Sequence, residues 1–515
     1  MMDVLEPAAS GSWGLFGRPI FEDPSARALS RVGVVDVGSN SVRMVVFNGA
    51  ARSPAYFYNE KIMCALGQGL GETGHLNPEG RVRALSAIKR FQYLAEGMGT
   101  GPLTAVATAA VRDADDGADF AEQVRQETGL ELHVIDGEEE ARLSAQGVLL
   151  GWPEAEGIVC DLGGASMELA EVADGKVGRR VSSKIGPLKL QAIPGGRKAL
   201  KLHIRSVLEE LANKIGSEPK RLYLVGGSWR AIARLDMERL GYPLHVLHEY
   251  RMTPKQVRAT CEWIHLSNLE EVRQRTGTSA QRMALVPIAA EILVQLVSVF
   301  KPREIAVSSY GIREGMLFEQ MPEKLRKRDP LIEACRFAEA KDARFPGAGR
   351  ELFHFIEPIF EKMKPRLLRI VRAACLLHDV TWRAHPDYRA EVCFDNATRA
   401  NLGGLTHNER IWLGLALMHR YKNSREGSHF SNLFELLPAE SIAEAEAVGK
   451  AMRFGAMFSF GNPRKFASLS WQPKKKILTL KLTADGAILF GEVAQSRFDS
   501  LVRSLGATGV VNNPS

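Results

Sequence analysis

The sequence is poor in cysteine and in aromatic residues, and each scarcity excludes a class of protein. Six cysteines in 515 residues, scattered and without a Cys-x-x-Cys pair, disfavour a disulfide framework and a zinc site. They are typical of reduced thiols in a cytoplasmic protein. Aromatic residues make up 7% of the chain and form no array on which bases could stack. We therefore expect no specific nucleic-acid partner.

A long apolar run and a secretory signal are also missing. No run approaches the roughly 20 apolar residues that a membrane helix needs, so we expect no membrane span. Residues 1–30 are rich in Gly, Pro, Ser and Ala and include Asp3 and Glu6. They have neither the basic start nor the clean apolar stretch of a secretory signal, and we interpret them as a disordered tail.

Positive charge is concentrated in the last third of the chain. Residues 341–515 hold 25 Lys and Arg against 17 Asp and Glu, a surplus of eight, whereas residues 1–340 hold 42 against 43. Such asymmetry indicates a polyanionic partner, although a basic surface kept for solubility explains the counts equally well.

The order of predicted elements indicates several domains, since 515 residues are too many for one core. Strand and helix patterns alternate over 31–148 and start again over 149–320, which predicts two related α/β lobes with mainly parallel sheets. Residues 325–465 are helical in pattern, and 466–515 form a small α+β segment. Helices are predicted over 78–97, 115–127, 138–147, 198–215, 228–235, 283–300, 313–320 and 494–505, and strands over 103–107, 131–135, 221–225, 304–308, 475–481 and 487–490.

One nine-residue sequence motif occurs twice. Residues 36–44 and 161–169 align at a constant offset of 125, each between two strand patterns. Glycines after a strand allow positive φ and close backbone approach, so that several N–H groups can converge on a phosphate. Structural hairpins left by duplication are the alternative. The predicted phosphate-binding residues are Gly38, Ser39, Asn40, Ser41, Arg43, Gly163, Gly164, Ala165 and Ser166.

The same two segments carry carboxylates. Asp36, Asp161 and Glu168 would lie beside bound phosphates, where negative charges repel unless a cation mediates. The sequence therefore predicts Mg²⁺ held by these three residues. The alternative is that the aspartates only accept hydrogen bonds from their own turns.

At these residues the chain resembles the exopolyphosphatase/guanosine pentaphosphate phosphatase family, within the actin-like sugar-kinase superfamily. The resemblance covers six segments that follow one another along residues 31–316. They are residues 35–43, 107–114, 136–143, 161–168, 225–228 and 309–315.

The resemblance implies two actin-like (ribonuclease H-like) lobes with a cleft between them, and roles for several residues. Glu140 would be the general base, and Arg112 would hold the reacting phosphate. Without the motif, Glu140 would be interpreted as one of several surface charges that open a helix. Asp161 and Glu168 would bind Mg²⁺. One departure is Ala165, which stands where the family usually has a third glycine.

Two further segments can each be interpreted in two ways. Gly226 and Gly227 lie where superfamily members bind adenosine, so a nucleoside or phosphate pocket and a plain strand-to-helix connection are both possible. Residues 375–379 resemble a His-Asp metal-phosphohydrolase domain. His354, His407 and His419 are the candidate additional ligands, but no downstream aspartate is evident, and a structural remnant is the preferred interpretation.

The combined prediction is a cytoplasmic, Mg²⁺-dependent exopolyphosphatase whose basic helical domain holds the rest of the polyphosphate chain. Guanosine pentaphosphate or another nucleotide is the alternative substrate. Two further possible functions are a non-catalytic sensor of polyphosphate or nucleotide and a kinase with ADP as acceptor. A homodimer is implied by the resemblance alone.

Overall fold

The computed structural model describes Phe16, residues 28–191 and residues 193–513. Two compact units divide the chain, Met1–Arg328 and Asp329–Ser515. Most of the predicted disordered tail lies outside the described residues. Within it, Phe16 is buried, and residues 28–30 belong to the first β-strand, so the tail prediction is wrong for these positions.

The first unit contains eleven strands among its described residues. They are β1 (Ala28–Val37), β2 (Ser41–Ala50), β3 (Ser53–Met63), β4 (Thr104–Ala107), β5 (Leu132–Val134), β6 (Gly157–Leu162), β7 (Met167–Ala173), β8 (Lys176–Ser183), β9 (Arg221–Val225), β10 (Tyr250–Met252) and β11 (Glu304–Val307).

Helices cover and connect these strands. They are α1 (Leu70–Thr73), α2 (Pro78–Gly97), α3 (Ala109–Asp113), α4 (Gly117–Thr128), α5 (Gly137–Gly151), α6 (Pro187–Leu190), α7 (Gly196–Ile215), α8 (Gly227–Leu240), α9 (Pro254–Leu266), α10 (Leu269–Thr276), α11 (Ala280–Phe300), α12 (Ile312–Glu319) and α13 (Glu323–Arg326).

The strands form two sheets of related topology. Their orders are β3-β2-β1-β4-β5 and β10-β11-β9-β6-β7-β8. In each sheet three consecutive strands pair antiparallel, and one later strand, β4 or β9, pairs parallel with the first of them. The predicted duplication and α/β layering are confirmed, but mainly parallel sheets are not, because short hairpin loops can join only antiparallel neighbours.

Helix α11 is the main apolar helix of this unit. Its length and composition alone would allow it to cross a membrane, which corrects the expectation that no such run exists. In the structure it is a core helix, with Leu293, Leu296 and Phe300 buried.

Helices α5 and α12 approach unusually closely. A Cβ added to Gly147 would overlap the carbonyl oxygen of Gly311, and one added to Gly315 would overlap that of Leu143. Since glycine is the residue that permits such backbone contact, these positions hold the two helices together.

The second unit is mostly helical, with one three-stranded sheet of order β12-β13-β14. Its elements are α14 (Pro330–Asp342), α15 (Ala348–Phe360), α16 (Pro365–Leu377), α17 (Arg389–Arg399), α18 (His407–Tyr421), α19 (Ser431–Phe434), α20 (Ala439–Phe458), β12 (Ala467–Gln472), β13 (Ile477–Leu482), α21 (Ala484–Leu489), α22 (Glu492–Ser504) and β14 (Thr508–Asn512).

One predicted strand in this unit is wrong. Residues 487–490 lie in and after α21, because the Thr483 side chain accepts a hydrogen bond from Gly486 N and starts a helix there. A short apolar run cannot by itself distinguish helix from strand.

All six cysteines of the chain are buried and free, as the scattered spacing predicted.

Candidate active site

The two copies of the repeated sequence motif fold into the same hairpin turn. The turn between β1 and β2 is closed by Gly38 N donating to Ser41 O at 3.0 Å, and that between β6 and β7 by Gly163 N donating to Ser166 O at 3.0 Å. The aligned positions of the two sequences are therefore equivalent in space within their sheets.

Each aspartate lies at the start of a row of side chains across its sheet. Asp36 on β1 pairs in register with Arg43 on β2, which pairs with Lys61 on β3. The row from Asp161 continues instead with Glu168 on β7 and with a serine on β8. The row that starts at Asp36 thus continues with cations, whereas the row that starts at Asp161 continues with an acidic residue.

The glycines of the turns provide space rather than unusual backbone angles. Gly38, Gly163 and Gly164 do not have positive φ, so that part of the sequence interpretation is wrong, whereas Gly226 does, with φ of 120°. A Cβ on Gly38 or Gly163 would meet only atoms of its own turn, at 3.5 Å. Ala165 also lacks positive φ, so its methyl group fits without backbone strain.

One cleft of about 280 Å³ brings most of the predicted site residues together. Every one of them lines it except Arg112 and Glu168, which lie close to Glu140. The lining residues that the sequence predicted are Asp36, Gly38, Ser39, Asn40, Ser41, Arg43, Glu140, Asp161, Gly163, Gly164, Ala165, Ser166, Gly226 and Gly227.

Glu140 lies in the first turn of α5. The side chain of Asp136 caps this helix by accepting from Glu139 N at 2.8 Å. Arg112 Nη1 donates to Glu140 Oε2 at 3.2 Å and to Ile135 O at 3.0 Å. Burial and the negative charge of Asp161 raise the pKa of Glu140 to about 8, and Arg112 opposes the rise. A carboxyl poised near neutral pH is suited to accept a proton.

Two more carboxylates stand close to Glu140. Asp161 accepts a hydrogen bond from Ser144, and Glu168 Oε1 accepts one from Ser182 Oγ at 3.0 Å. Burial raises the pKa of Asp161, and burial with the charges of Glu140 and Asp161 raises that of Glu168. Glu168 Oε2 is buried and has no hydrogen-bond partner among the described residues.

The predicted metal ligands do not all come together. Within the described ranges, no group of three or more His, Cys, Asp and Glu side chains is arranged to hold a metal ion. Asp36 is engaged elsewhere, because Arg313 Nη1 donates to its Oδ2 at 2.9 Å. Asp161 and Glu168 nevertheless fit Mg²⁺, since one oxygen lacks a partner and Mg²⁺ needs only one or two carboxylates beside phosphate and water ligands.

Five cations line the same cleft, and four of them were not predicted as site residues. We call this set the cleft cations: Arg43, Lys61, Arg230, Arg282 and Arg313. Burial and the neighbouring positive charges lower the pKa of Arg230 to about 10 and lower that of Lys61 as well. Such mutual repulsion favours the binding of a multiply charged anion.

Only part of this set had a signal in the sequence. Arg313 lies inside the segment 309–315 that carried the family resemblance. Lys61 and Ser182 are on the third strand of each sheet, and neither third strand was predicted.

The cleft has no ring on which a base could stack. Among the described residues that line it, none is Phe, Tyr or Trp. At the strand-to-helix turn where related folds bind adenosine, the guanidinium of Arg282 lies 3.4 Å from where a Cβ of Gly227 would be. Helix α8 starts at this turn without a side-chain cap, so its N–H groups are free to meet an anion.

The His-Asp pair of the second unit has no metal-binding arrangement among the described residues. The guanidinium of Arg344 forms an ion pair with Asp379, and the ring Nδ1 of His378 lies 2.7 Å from Cys375 O. His354 is on the surface beside Glu357, at 3.1 Å. The ion pair with Arg344 thus occupies the Asp379 carboxylate that a metal would need.

Comparison with known sequences gives the same relationship for both units. The family model described as "Ppx/GppA phosphatase family" matches residues 45–324, and the model "Exopolyphosphatase, C-terminal" matches 358–509. Retrograde regulation protein 2 of Saccharomyces cerevisiae is 26% identical over 78% of this chain and 74% of its own length. Exopolyphosphatase 1 of Mycobacterium tuberculosis is 27% identical over 56% of this chain and 88% of its own length.

Solved structures resemble a little over half of the chain. The Aquifex aeolicus Ppx/GppA family member matches with a TM-score of 0.51 and 25% identity over 56% of this chain and 97% of its own. An exopolyphosphatase from Cytophaga hutchinsonii has the same fold, with a TM-score of 0.51, 22% identity, and coverage of 57% of this chain and 98% of its own. The duplicated sheets, the paired turns and the matched family model together establish that the chain belongs to the Ppx/GppA phosphatase family.

Proposed function

We propose that the protein is an exopolyphosphatase that releases orthophosphate from the end of inorganic polyphosphate. As a member of this phosphatase family, the chain is a phosphoanhydride hydrolase. The observation that carries the choice of substrate is the set of cleft cations in a cleft that, among the described residues, no aromatic ring lines. A polyphosphate has a negative charge on every unit and no base, so it uses all five cations and needs no stacking surface.

The carboxylates and the cations divide the reaction between them. Glu140 takes a proton from the attacking water, and Arg112 keeps its carboxyl oriented through the 3.2 Å hydrogen bond. The two turns and the N-terminus of α8 hold the terminal phosphate for in-line attack. Arg313 and Arg230 stabilise the charge on the phosphates that follow.

Mg²⁺ is the proposed cofactor, and Asp161 and Glu168 are the residues that would hold it. When bound, it supplies positive charge that offsets the negative charge of the phosphates. Ser144 and Ser182 fix the two carboxylates by hydrogen bonds, which leaves Glu168 Oε2 available.

The first test is Glu140→Gln. Loss of the base should reduce the turnover number by roughly 10²- to 10⁴-fold and leave polyphosphate binding nearly unchanged. Orthophosphate release and equilibrium binding of polyphosphate measure the two quantities. The control is Glu138→Gln, in the same helical turn but exposed, which should behave as wild type. Near-normal turnover of Glu140→Gln would remove Glu140 from the mechanism.

The same assays separate the competing functions. A hydrolase of guanosine pentaphosphate would turn over that nucleotide faster than polyphosphate. A non-catalytic sensor would release no orthophosphate from either, and a kinase would release none but transfer phosphate to ADP.

A cytoplasmic location is supported by six buried, free cysteines. The proposed homodimer is tested by measuring the mass in solution.

A further inference from the structure

Three arginines of the second unit have buried guanidinium nitrogens without a partner. They are Arg420 on α18, Arg453 on α20 and Arg497 on α22. Arg420 Nε, Arg453 Nη1 and Arg497 Nε are buried, and none donates a hydrogen bond to a described residue. Arg420 is only 5% exposed.

The first two arginines are brought together by a close helix contact. A Cβ added to Gly449 on α20 would overlap the carbonyl oxygen of Ala416 on α18. Arg453 and Arg420 each lie four residues, or about one turn, beyond these contact points. The charge of Arg420 acts on Arg453, so the two guanidinium groups lie near each other.

Helix α22 brings the third arginine to the same place. The rings of Phe454 and Phe498, which directly follow Arg453 and Arg497 in sequence, have centroids 5.4 Å apart. On the other side, Ser500 Oγ donates to Asn423 Oδ1 at 2.8 Å, three residues beyond Arg497 and Arg420 respectively. Contacts on both sides thus bring together the parts of the three helices that carry the arginines.

The positive charges repel one another at this point. Besides burial, the charges of Arg497 and Arg420 lower the pKa of Arg453 to about 10. Elsewhere in the unit, arginines are paired with carboxylates, as Arg369 is with Asp329. Asp379, which pairs with Arg344, is the carboxylate near Arg420, but both charges that act on Arg453 are positive, so the arrangement suits an anion.

We propose that Arg420, Arg453 and Arg497 form a binding site for a phosphate group in the second unit. Guanidinium groups bind phosphate oxygens through paired hydrogen bonds, and three of them match a compact, multiply charged oxyanion. The phosphate comes either from free orthophosphate or from a unit of a polyphosphate chain. The site does not depend on the hydrolysis proposed for the cleft.

Hydrogen exchange of the full-length protein tests the proposal without requiring turnover. Orthophosphate, added at constant ionic strength, should slow amide exchange in α18, α20 and α22 by tenfold or more. Arg453→Gln and Arg497→Gln should each abolish this protection. The control, Arg399→Gln, removes an exposed arginine of the same unit that pairs with Asp395, and should keep it.

A second signature distinguishes an anion site from ordinary packing. Without phosphate, the amides of the Arg453→Gln variant should exchange no faster than those of wild type, because one repelling charge has been removed. A packing role predicts faster exchange instead. If Arg453→Gln does not fold, Arg497→Gln serves for the same comparison.

The source of the phosphate is decided by the probe. Tripolyphosphate is used on a Glu140→Gln background, so that it is not consumed. Protection by orthophosphate assigns the site to the free ion, and protection by tripolyphosphate alone assigns it to the chain; both support the proposal. Absence of protection by either probe, or protection that survives both substitutions, would overturn it.

Discussion

Glu168 lies in an environment that is unfavourable for a negative charge. It is 1% exposed, it stands near the charges of Glu140 and Asp161, and one of its oxygens has no partner among the described residues. A buried acid in such surroundings is stabilised only by a proton or a cation. Its burial therefore supports the proposal that the cleft holds a cation.

The corresponding prediction is for Glu168→Gln. In a chelating buffer the variant should be more stable than wild type by on the order of 1 kcal/mol, because a pKa shift of one unit corresponds to about 1.4 kcal/mol. With substrate, it should need a higher Mg²⁺ concentration for half-maximal turnover. Thermal unfolding and Mg²⁺ titrations measure both effects.

The control for this prediction is on the same strand. Glu171→Gln alters a partly exposed carboxylate that pairs with Arg179, and it should leave the Mg²⁺ requirement unchanged. An unchanged Mg²⁺ requirement in Glu168→Gln as well would remove Glu168 as a ligand.

The burial of His419 leads to a prediction of how the stability of the second unit depends on pH. Its ring is fully buried, neither nitrogen has a hydrogen-bond partner among the described residues, and burial lowers its pKa to about 4. The unfolded chain therefore binds a proton at a higher pH than the folded chain does. Stability is complete above about pH 6.5 and is lost as the pH falls toward 4, by up to about 3 kcal/mol for this residue.

His419→Leu should flatten that loss, and it should not reduce stability at pH 7, because no hydrogen bond is removed. The free energy of unfolding, from denaturant-dependent hydrogen exchange in α18 at several pH values, is the measurement. His385→Leu, at an exposed histidine, should keep the wild-type slope. The interpretation fails if the two variants lose stability in parallel.

At the scale of elements, the contact between α5 and α12 positions the site. Helix α5 carries Glu140, and α12 carries Arg313, which pairs with Asp36. The glycines between the two helices leave no room for a methyl group. The distance from the proposed base to the cleft cations is therefore set by backbone packing.

Gly315→Ala should accordingly affect both stability and turnover. The methyl group would overlap the carbonyl of Leu143, one turn from Glu140, and overpacking of this kind is unfavourable by about 1–3 kcal/mol. We expect a lower melting temperature and at least a roughly tenfold lower turnover number, because small displacements of catalytic groups are costly. Gly101→Ala, where a methyl meets no atom within 4 Å, is the control. Wild-type turnover in Gly315→Ala would contradict this view of the contact.

Elements with strong local patterns were the ones that the sequence predicted well. Helix α2 and strand β9 have the predicted bounds, since each combines a clear periodicity with clear end signals. Strands β3 and β8 were missed because they are largely exposed edge strands whose order depends on their neighbours. The cleft cations were missed for the related reason that they come together only through tertiary packing.

At the scale of the whole molecule, the two units differ in charge. The basic surplus falls in the second unit. We expect this surplus to bind the part of a long polyphosphate that is not being hydrolysed. The proposed domain bounds within each unit remain predictions.

A chain ending at Arg328 tests this division of labour. It should lose much more of kcat/KM on long polyphosphate than on tripolyphosphate, and its remaining activity should depend less on salt. A full-length variant with Lys474→Gln and Lys475→Gln, two exposed residues, should reproduce part of the loss without removing the unit. Equal loss on both substrates would count against a role in holding the chain.

The register of the two hairpins also constrains how such a molecule can have arisen. Opposite the aspartate, one copy carries Arg43 and the other Glu168. Two identical lobes would present either two cationic walls or two acidic ones, and neither pair could hold both a phosphate chain and its metal. Duplication allowed each copy to change separately, so the difference between the copies is itself a condition for the proposed chemistry.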